Sequence, residues 1–101
     1  MISKKRKASY KKSISVWGEG LQCLMFFEES SELGILLSKY LRDKHPSRIE
    51  IAEEIADCKI ILEQLSVLFD VEKNVDDFEK IKLKRLVEMA IDSEAQQRLT
   101  R

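Results

Sequence analysis

Apolar side chains recur at helical spacing along most of this chain and predict three main helices. We expect the first from about Leu21 to Arg42, the second from about Arg48 to Phe69 and the third from about Val75 to Ile91. The first is apolar almost all the way round, which is typical of a helix in the middle of a bundle. Only three Gly and one Pro interrupt the pattern in 101 residues. The sequence therefore predicts an all-α antiparallel bundle of three to four helices, completed by oligomerisation.

Local signals predict where the first helix begins and ends. Helical character is expected to start near Ser13 or Ser15. Gly18 and Gly20 are expected to bend or loosen the chain before the first main helix. A short break is predicted at Asp43–Pro46, because proline disfavours helical conformation at the residue before it. A connection this short makes the first two helices antiparallel neighbours.

The second and third helices also have recognisable starts. Ser47 and Glu50 have the spacing of a capping box, with Ser47 as N-cap. Another break is expected at Asp70–Lys73, and Asn74 is predicted to cap the third helix. The polar residues 92–101 are predicted to form a further helical turn or a frayed end.

Charge is balanced overall but unevenly placed. Eighteen basic and eighteen acidic residues cancel, yet residues 1–12 carry lysine and arginine and no acid. Such an arm could bind nucleic acid or phosphates, but a solvated, poorly ordered terminus is the simpler interpretation. The predicted organisation is a basic N-terminal arm (1–12), a helical domain (13–91) and a polar C-terminal tail (92–101).

Compartment is predicted from what the sequence does not contain. No apolar stretch approaches the roughly 20 residues that span a bilayer, and the charged start is not followed by a cleavage pattern, so we expect no signal peptide. Cys23 and Cys58 form neither a C-x-x-C pair nor a zinc-binding spacing. Buried reduced thiols in a cytoplasmic protein are the simplest account.

Two matched pairs of acids are the most informative feature for function. Glu29 and Glu32 lie three apart in the first helix, and Glu54 and Asp57 lie three apart in the second. Residues at this spacing share a helix face, so each pair presents two carboxylates side by side among apolar neighbours. Like charges repel there, and burial adds to the cost. A divalent cation held by oxygen ligands would compensate, and Mg²⁺ or Mn²⁺ prefers such ligands.

Neighbouring acids could complete a catalytic site. Glu28 and Glu53 could orient a water or act as a base beside a metal that binds phosphate oxygens. Because Glu is a strong helix former, a single E-x-x-E pair is usually solvated surface, whereas two pairs within apolar stretches are harder to explain in that way. A di-iron carboxylate bundle needs Glu-x-x-His motifs, and the only histidine, His45, lies in the predicted break. We therefore exclude the di-iron alternative.

The sequence Glu28-Glu29-Ser30-Ser31-Glu32-Leu33, followed by Glu53-Glu54-Ile55-Ala56-Asp57, resembles the motifs of the MazG-like all-α nucleoside triphosphate pyrophosphohydrolases. Trp17–Gln22 also resembles the stretch ahead of the first motif in that family. The likeness covers roughly Trp17 to Leu68 and is greatest to the short, single-domain members of bacteria and their phages. The chain departs from the pattern at Cys58 and Lys59, where the family tends to be aliphatic.

This resemblance implies a helical bundle that oligomerises and cleaves a nucleoside triphosphate between its α and β phosphates, with Mg²⁺ as cofactor. The products would be a nucleoside monophosphate and pyrophosphate. The metal-ligand role then falls on Glu29, Glu32, Glu54 and Asp57. The resemblance also suggests phosphate contacts from Lys82 and Arg85.

Two further residues are candidates for substrate binding. Gln22 lies on the same face as Glu29 and could bond a base or a ligating carboxylate, or be a buried amide bonded to backbone. Trp17 could stack on a base, although a lone Trp is more often a core or interface anchor. The expected partners are a nucleoside triphosphate and further copies of the chain, as a homodimer or tetramer, rather than a membrane or nucleic acid. The alternative is a non-catalytic helical oligomer that acts as a small regulatory or nucleic-acid-binding protein through its basic arm.

Overall fold

A computed structural model describes residues 1–42 and 45–100, and within these ranges the regular secondary structure is all helix, with no strand. Three helices follow in order: α1 (Lys4–Leu41), α2 (Arg48–Leu68) and α3 (Glu72–Thr100). The all-α prediction is confirmed. The predicted break at Asp43–Pro46 includes residues 43 and 44, which lie outside the described residues.

Helix α1 begins about ten residues earlier than predicted. Ser3 is its N-cap, with an extended backbone and a side-chain oxygen that accepts the Arg6 backbone N–H at 3.2 Å. The prediction of a helix start near Ser13 or Ser15, with a poorly ordered arm before it, is therefore wrong. Lysine and arginine are good helix formers, and the arm also gains contacts with α2 that no local pattern reveals.

Gly18 bends α1, as predicted. Its torsions, φ 82° and ψ 168°, are non-helical and belong to a region that is essentially restricted to glycine. A Cβ at this position would meet nothing within 4 Å. The torsion angles alone therefore require glycine here, and the space around it does not. The residues of α1 before this bend, 4–17, are called the strap below.

Helices α1 and α2 pack against each other and run in opposite directions, as the short connection predicts. The capping box at the start of α2 is confirmed, because Ser47 Oγ accepts the Glu50 N–H at 3.1 Å and Glu50 Oε2 accepts the Ser47 N–H at 3.3 Å. Midway along the pair, Cys58 Sγ donates to the Glu29 backbone carbonyl at 3.5 Å. This contact fixes which residues of the two helices face each other.

The end of α2 explains why the predicted start of α3 is wrong. Asp70 takes a left-handed conformation, φ 53°, and its N–H donates to Val67 O at 3.1 Å, while the Val71 N–H donates to Ser66 O at 3.0 Å. This is a Schellman motif, which ends the helix within two residues. Helix α3 then starts at Glu72, so the predicted N-cap Asn74 lies inside it.

Two compact units make up the chain. One is Ile2–Val71, which contains α1 and α2, and the other contains α3. Helix α3 continues to Thr100, which makes most of the predicted tail helical; Arg101 lies outside the described residues. Helix α3 has no buried residue and exposes large apolar side chains such as Phe78, Ile81 and Leu86. No described helix has the length and apolar character that crossing a membrane requires.

Candidate metal centre

Three of the four predicted ligands converge between α1 and α2. Glu29, Glu54 and Asp57 each offer a carboxylate oxygen, and these oxygens lie within 4.8 Å of one another. One comes from α1 and two from adjacent turns of α2, so the hairpin register meets the requirement that the two E-x-x-E/D pairs face each other. All three residues are partly buried.

Glu32, the fourth predicted ligand, lies at the edge of this cluster. Its side chain is exposed, and its oxygens are not part of the group of three. The negative charge of its carboxylate nevertheless contributes to the raised pKa of Glu54. The structure therefore brings all four acids into one neighbourhood, with Glu32 on the solvent side.

The electrostatics of the site oppose full ionisation. The pKa of Glu29 is raised mainly by burial, and then by the negative charges of Asp57, Glu32 and Glu54. The pKa of Glu54 is raised by burial and by the charge of Glu32. Glu29 Oε2 and Glu54 Oε2 are both buried and have no hydrogen-bond partner. A pair of unsatisfied buried carboxylate oxygens is costly unless a proton or a cation is shared among them.

The donor set fits a hard divalent cation. The three converging oxygens, with a fourth carboxylate beside them, are the ligand type that Mg²⁺ and Mn²⁺ prefer, and an open solvent side leaves positions for water or phosphate oxygens. The buried oxygens without partners are the observation that supports this fit.

Cys58 belongs to this neighbourhood, although the sequence indicated only a buried thiol. The pKa of Cys58 is raised by burial and by the surrounding carboxylates, Glu29 first among them. The thiol therefore stays protonated and serves as a donor to the Glu29 backbone. Its position directly after Asp57 on a partly buried face was the available signal.

The predicted catalytic acids lie on the outside of the helices. Glu28 and Glu53 are exposed, next in sequence to Glu29 and Glu54 but not among the converging oxygens. The negative charge of Glu53 contributes to the raised pKa of Glu54. Their assignment as base or water-orienting groups stays a prediction.

The predicted substrate-binding residues are placed very differently from one another. Gln22 is fully buried, donates through Nε2 to Ser13 Oγ at 3.2 Å and leaves Oε1 without a partner. A buried amide was one of the alternatives left open by the sequence, and the residue is buried, but its amide bonds a serine side chain and not the backbone. Trp17 is 57% exposed beside Gly18. Lys82 and Arg85 lie on α3, in the other compact unit, so their role stays a prediction.

No family model, curated protein or solved structure matches the chain. The resemblance to the MazG-like pyrophosphohydrolases therefore depends on the sequence motifs alone.

Proposed function

We propose that this chain is a Mg²⁺-dependent nucleoside triphosphate pyrophosphohydrolase that releases a nucleoside monophosphate and pyrophosphate. The observation that carries the proposal is the convergence of Glu29, Glu54 and Asp57 oxygens within 4.8 Å, two of these residues having a buried oxygen without a partner. Charge of this kind, held by two packed helices, suits a cation and a polyphosphate better than a purely structural role.

Each acid has a distinct part in this proposal. The residues that would hold the ion are Glu29, Glu54 and Asp57, and Glu32, at the exposed rim, would supply a further carboxylate ligand. When bound, Mg²⁺ would offset the charge of the phosphates and make a bound water more acidic. Glu53 and Glu28, exposed beside the cluster, orient the attacking water or accept its proton. Manganese would serve in place of magnesium because it accepts the same oxygen ligands.

Association of copies is part of the proposal, as a homodimer or a tetramer in the cytoplasm. In the unit of α1 and α2, several large apolar residues are each more than half exposed, among them Leu24, Phe27, Ile35 and Leu62. Exposure of this extent supports a further packing partner. The proposed substrate contacts are Trp17, Lys82 and Arg85. Gln22 is fully buried against Ser13 and is not among them.

Hydrolysis by purified protein tests this function directly. The wild type should release pyrophosphate from at least one of the common nucleoside triphosphates or deoxynucleoside triphosphates when Mg²⁺ is present and not when it is chelated. Glu54→Gln keeps the shape of the side chain and removes its charge. We expect it to lower kcat/KM by more than about 100-fold, the upper end of the loss typical for a group that only supports a ligand. Glu19→Gln, an exposed acid of α1, is the control and should retain activity.

The rival function, nucleic-acid binding through the basic arm, is favoured by one observation. The strap is a helix, and its exposed side chains include Lys4, Lys5, Lys11 and Lys12. A gel-shift series with short DNA and RNA at rising salt measures this directly. Salt-sensitive binding that Lys11→Gln and Lys12→Gln weaken, together with no turnover and no rise in melting temperature on adding Mg²⁺, would replace the enzyme by this rival.

A further inference from the structure

Three polar links join the strap to the rest of its unit. Arg6 Nη1 donates to Glu63 Oε1 at 2.9 Å, and Tyr10 OH donates to the same oxygen at 3.1 Å. Gln22 Nε2 donates to Ser13 Oγ at 3.2 Å. Tyr10 is only 5% exposed. The strap therefore covers the face formed by Gln22 and by the second half of α2.

These contacts exist only because α1 is folded at Gly18. Ser13 and Gln22 are nine residues apart, which is about 13.5 Å along a continuous helix, so their side chains could not meet in a straight α1. The bend depends on the torsions of one residue, φ 82° and ψ 168°. If Gly18 took helical torsions instead, all of the strap would be lifted from α2 as one piece.

The ion pair between the strap and α2 is only partly buried. The Arg6 side chain is 56% accessible and the Glu63 side chain 23%, so the pair contributes modestly to holding the closed form. The face that the strap covers is not neutral surface, because it includes Glu63 and the fully buried Gln22. A lifted strap leaves that face open to a segment of the same chemistry.

We propose that α1 straightens at Gly18 and that two copies of this chain exchange straps. In the exchanged dimer, Arg6 and Tyr10 of one copy bond the partner's Glu63, and Ser13 bonds the partner's Gln22. The occupant of the face is thus already known: it is the segment that covers it within one chain. Every contact of the closed monomer is remade between chains, which makes exchange through a single hinge an inexpensive route to a dimer. The exchange needs neither metal nor substrate, so it stands independently of the proposed enzyme activity.

Substitution at the hinge tests the exchange. Gly18→Ala disfavours the torsions of the bend through backbone strain alone, because the added Cβ meets no other atom within 4 Å. Alanine also favours a continuous helix. We expect the balance between folded and straight α1 to move by at least about tenfold per strap, and the dimer association constant by about 100-fold, since two straps move. Gly20→Ala is the matched control: Gly20 lies in the same helix without a positive φ, and its added Cβ meets nothing within 4 Å. Analytical ultracentrifugation over a concentration series measures the dimer.

Charge reversal tests whether the contact between residues 6 and 63 forms between two chains. Arg6→Glu in one chain and Glu63→Arg in another each place like charges together within a monomer or a homodimer. Mixed after Gly18→Ala is introduced into both, they form two opposite-charge pairs only by exchanging straps with each other. Native mass spectrometry should then find the mixed dimer in more than half of all dimers. The double variant Arg6→Glu, Glu63→Arg restores the pair in every arrangement and should dimerise with itself as the Gly18→Ala chain does.

Two results would overturn the exchange. One is a Gly18→Ala chain with the same association constant as Gly20→Ala. The other is mixed dimers at the statistical half, because a dimer held by a different apolar face would not respond to the sign of residues 6 and 63.

Discussion

At Glu29 and Glu54, burial and the neighbouring charges act in the same direction, and both raise the pKa. An acid with a higher pKa in the folded state holds its proton longer than in the unfolded chain. Its contribution to the free energy of unfolding therefore falls as pH rises from the unperturbed value of about 4.3 through the raised one. Below that window both states are protonated and the penalty disappears. The metal-free site thus lowers stability most at neutral pH.

Glu29→Gln should remove much of this penalty. In the presence of a chelator, we expect the variant to melt a few degrees above the wild type at neutral pH, because repulsion from Asp57, Glu32 and Glu54 is relieved. The difference should shrink as the pH is lowered through the window above. Thermal melts followed by circular dichroism at several pH values make the measurement, with Glu19→Gln as the control for loss of one negative charge. Equal or lower stability of Glu29→Gln at neutral pH would mean that the carboxylate is balanced by a local cation.

Sequence spacing predicted the convergence of these acids, since three-residue spacing on facing helices leaves few alternatives. The spacing could not predict which of the four carboxylates would be buried and which exposed. Glu32 is exposed while Glu29, three residues earlier, is partly buried, because the angle at which two helices pack decides which member of a pair faces inward. The missing hydrogen-bond partners of Glu29 Oε2 and Glu54 Oε2 likewise depend on atoms from both helices.

At the scale of the helices, the short-range signals at both ends of α2 were accurate. Ser47 and Glu50 form the predicted capping box, and α2 ends within one residue of its predicted limit. The predicted start of α3 was wrong because a Schellman motif at Asp70 allows a helix to begin two residues later without an Asn cap. The predicted start of α1 was wrong because Arg6 and Tyr10 donate hydrogen bonds to Glu63, a residue more than fifty positions away.

The capping box gives a prediction for α2. Ser47→Ala removes the acceptor for the Glu50 N–H and should lower the free energy of unfolding by about 1 kcal/mol. Ser66→Ala deletes the same atom inside the same helix, where the hydroxyl only donates back to Leu62 O at 3.0 Å, and it should be neutral or slightly stabilising. Urea unfolding of both variants compares them directly. A similar loss of unfolding free energy in both variants would show that the capping hydrogen bond contributes no more than a serine hydroxyl inside the helix.

At the scale of the molecule, the most buried place is unusually polar. The described residues with the least exposure are Tyr10, Gln22, Ile61 and Gln64. All four belong to the unit of α1 and α2, where the strap lies against Glu63. A chain of this length has a modest core at best, and here amides occupy half of its deepest positions. The position of Gln22 on its helix made a buried amide one of the alternatives, but hydrophobic patterning did not predict the burial of Gln64.

The polar core leads to a prediction at Gln64. This side chain is only 9% exposed, and its Oε1 is buried without a hydrogen-bond partner. An orphaned buried acceptor costs about 1–3 kcal/mol, whereas an apolar side chain of similar shape leaves nothing unpaired. Gln64→Met should therefore raise the free energy of unfolding by about 1 kcal/mol or more, measured by urea denaturation.

Ile61→Ala shows whether position 64 is being tested within a packed core. Ile61 is 2% exposed and one turn away on α2, so its truncation should cost about 2–5 kcal/mol. If that loss is observed while Gln64→Met also destabilises the chain, the Gln64 oxygen is bonded in solution, and an ordered water at that site becomes the account of the polar core. If Gln64→Met stabilises as expected, the core tolerates an unpaired amide at a measurable cost.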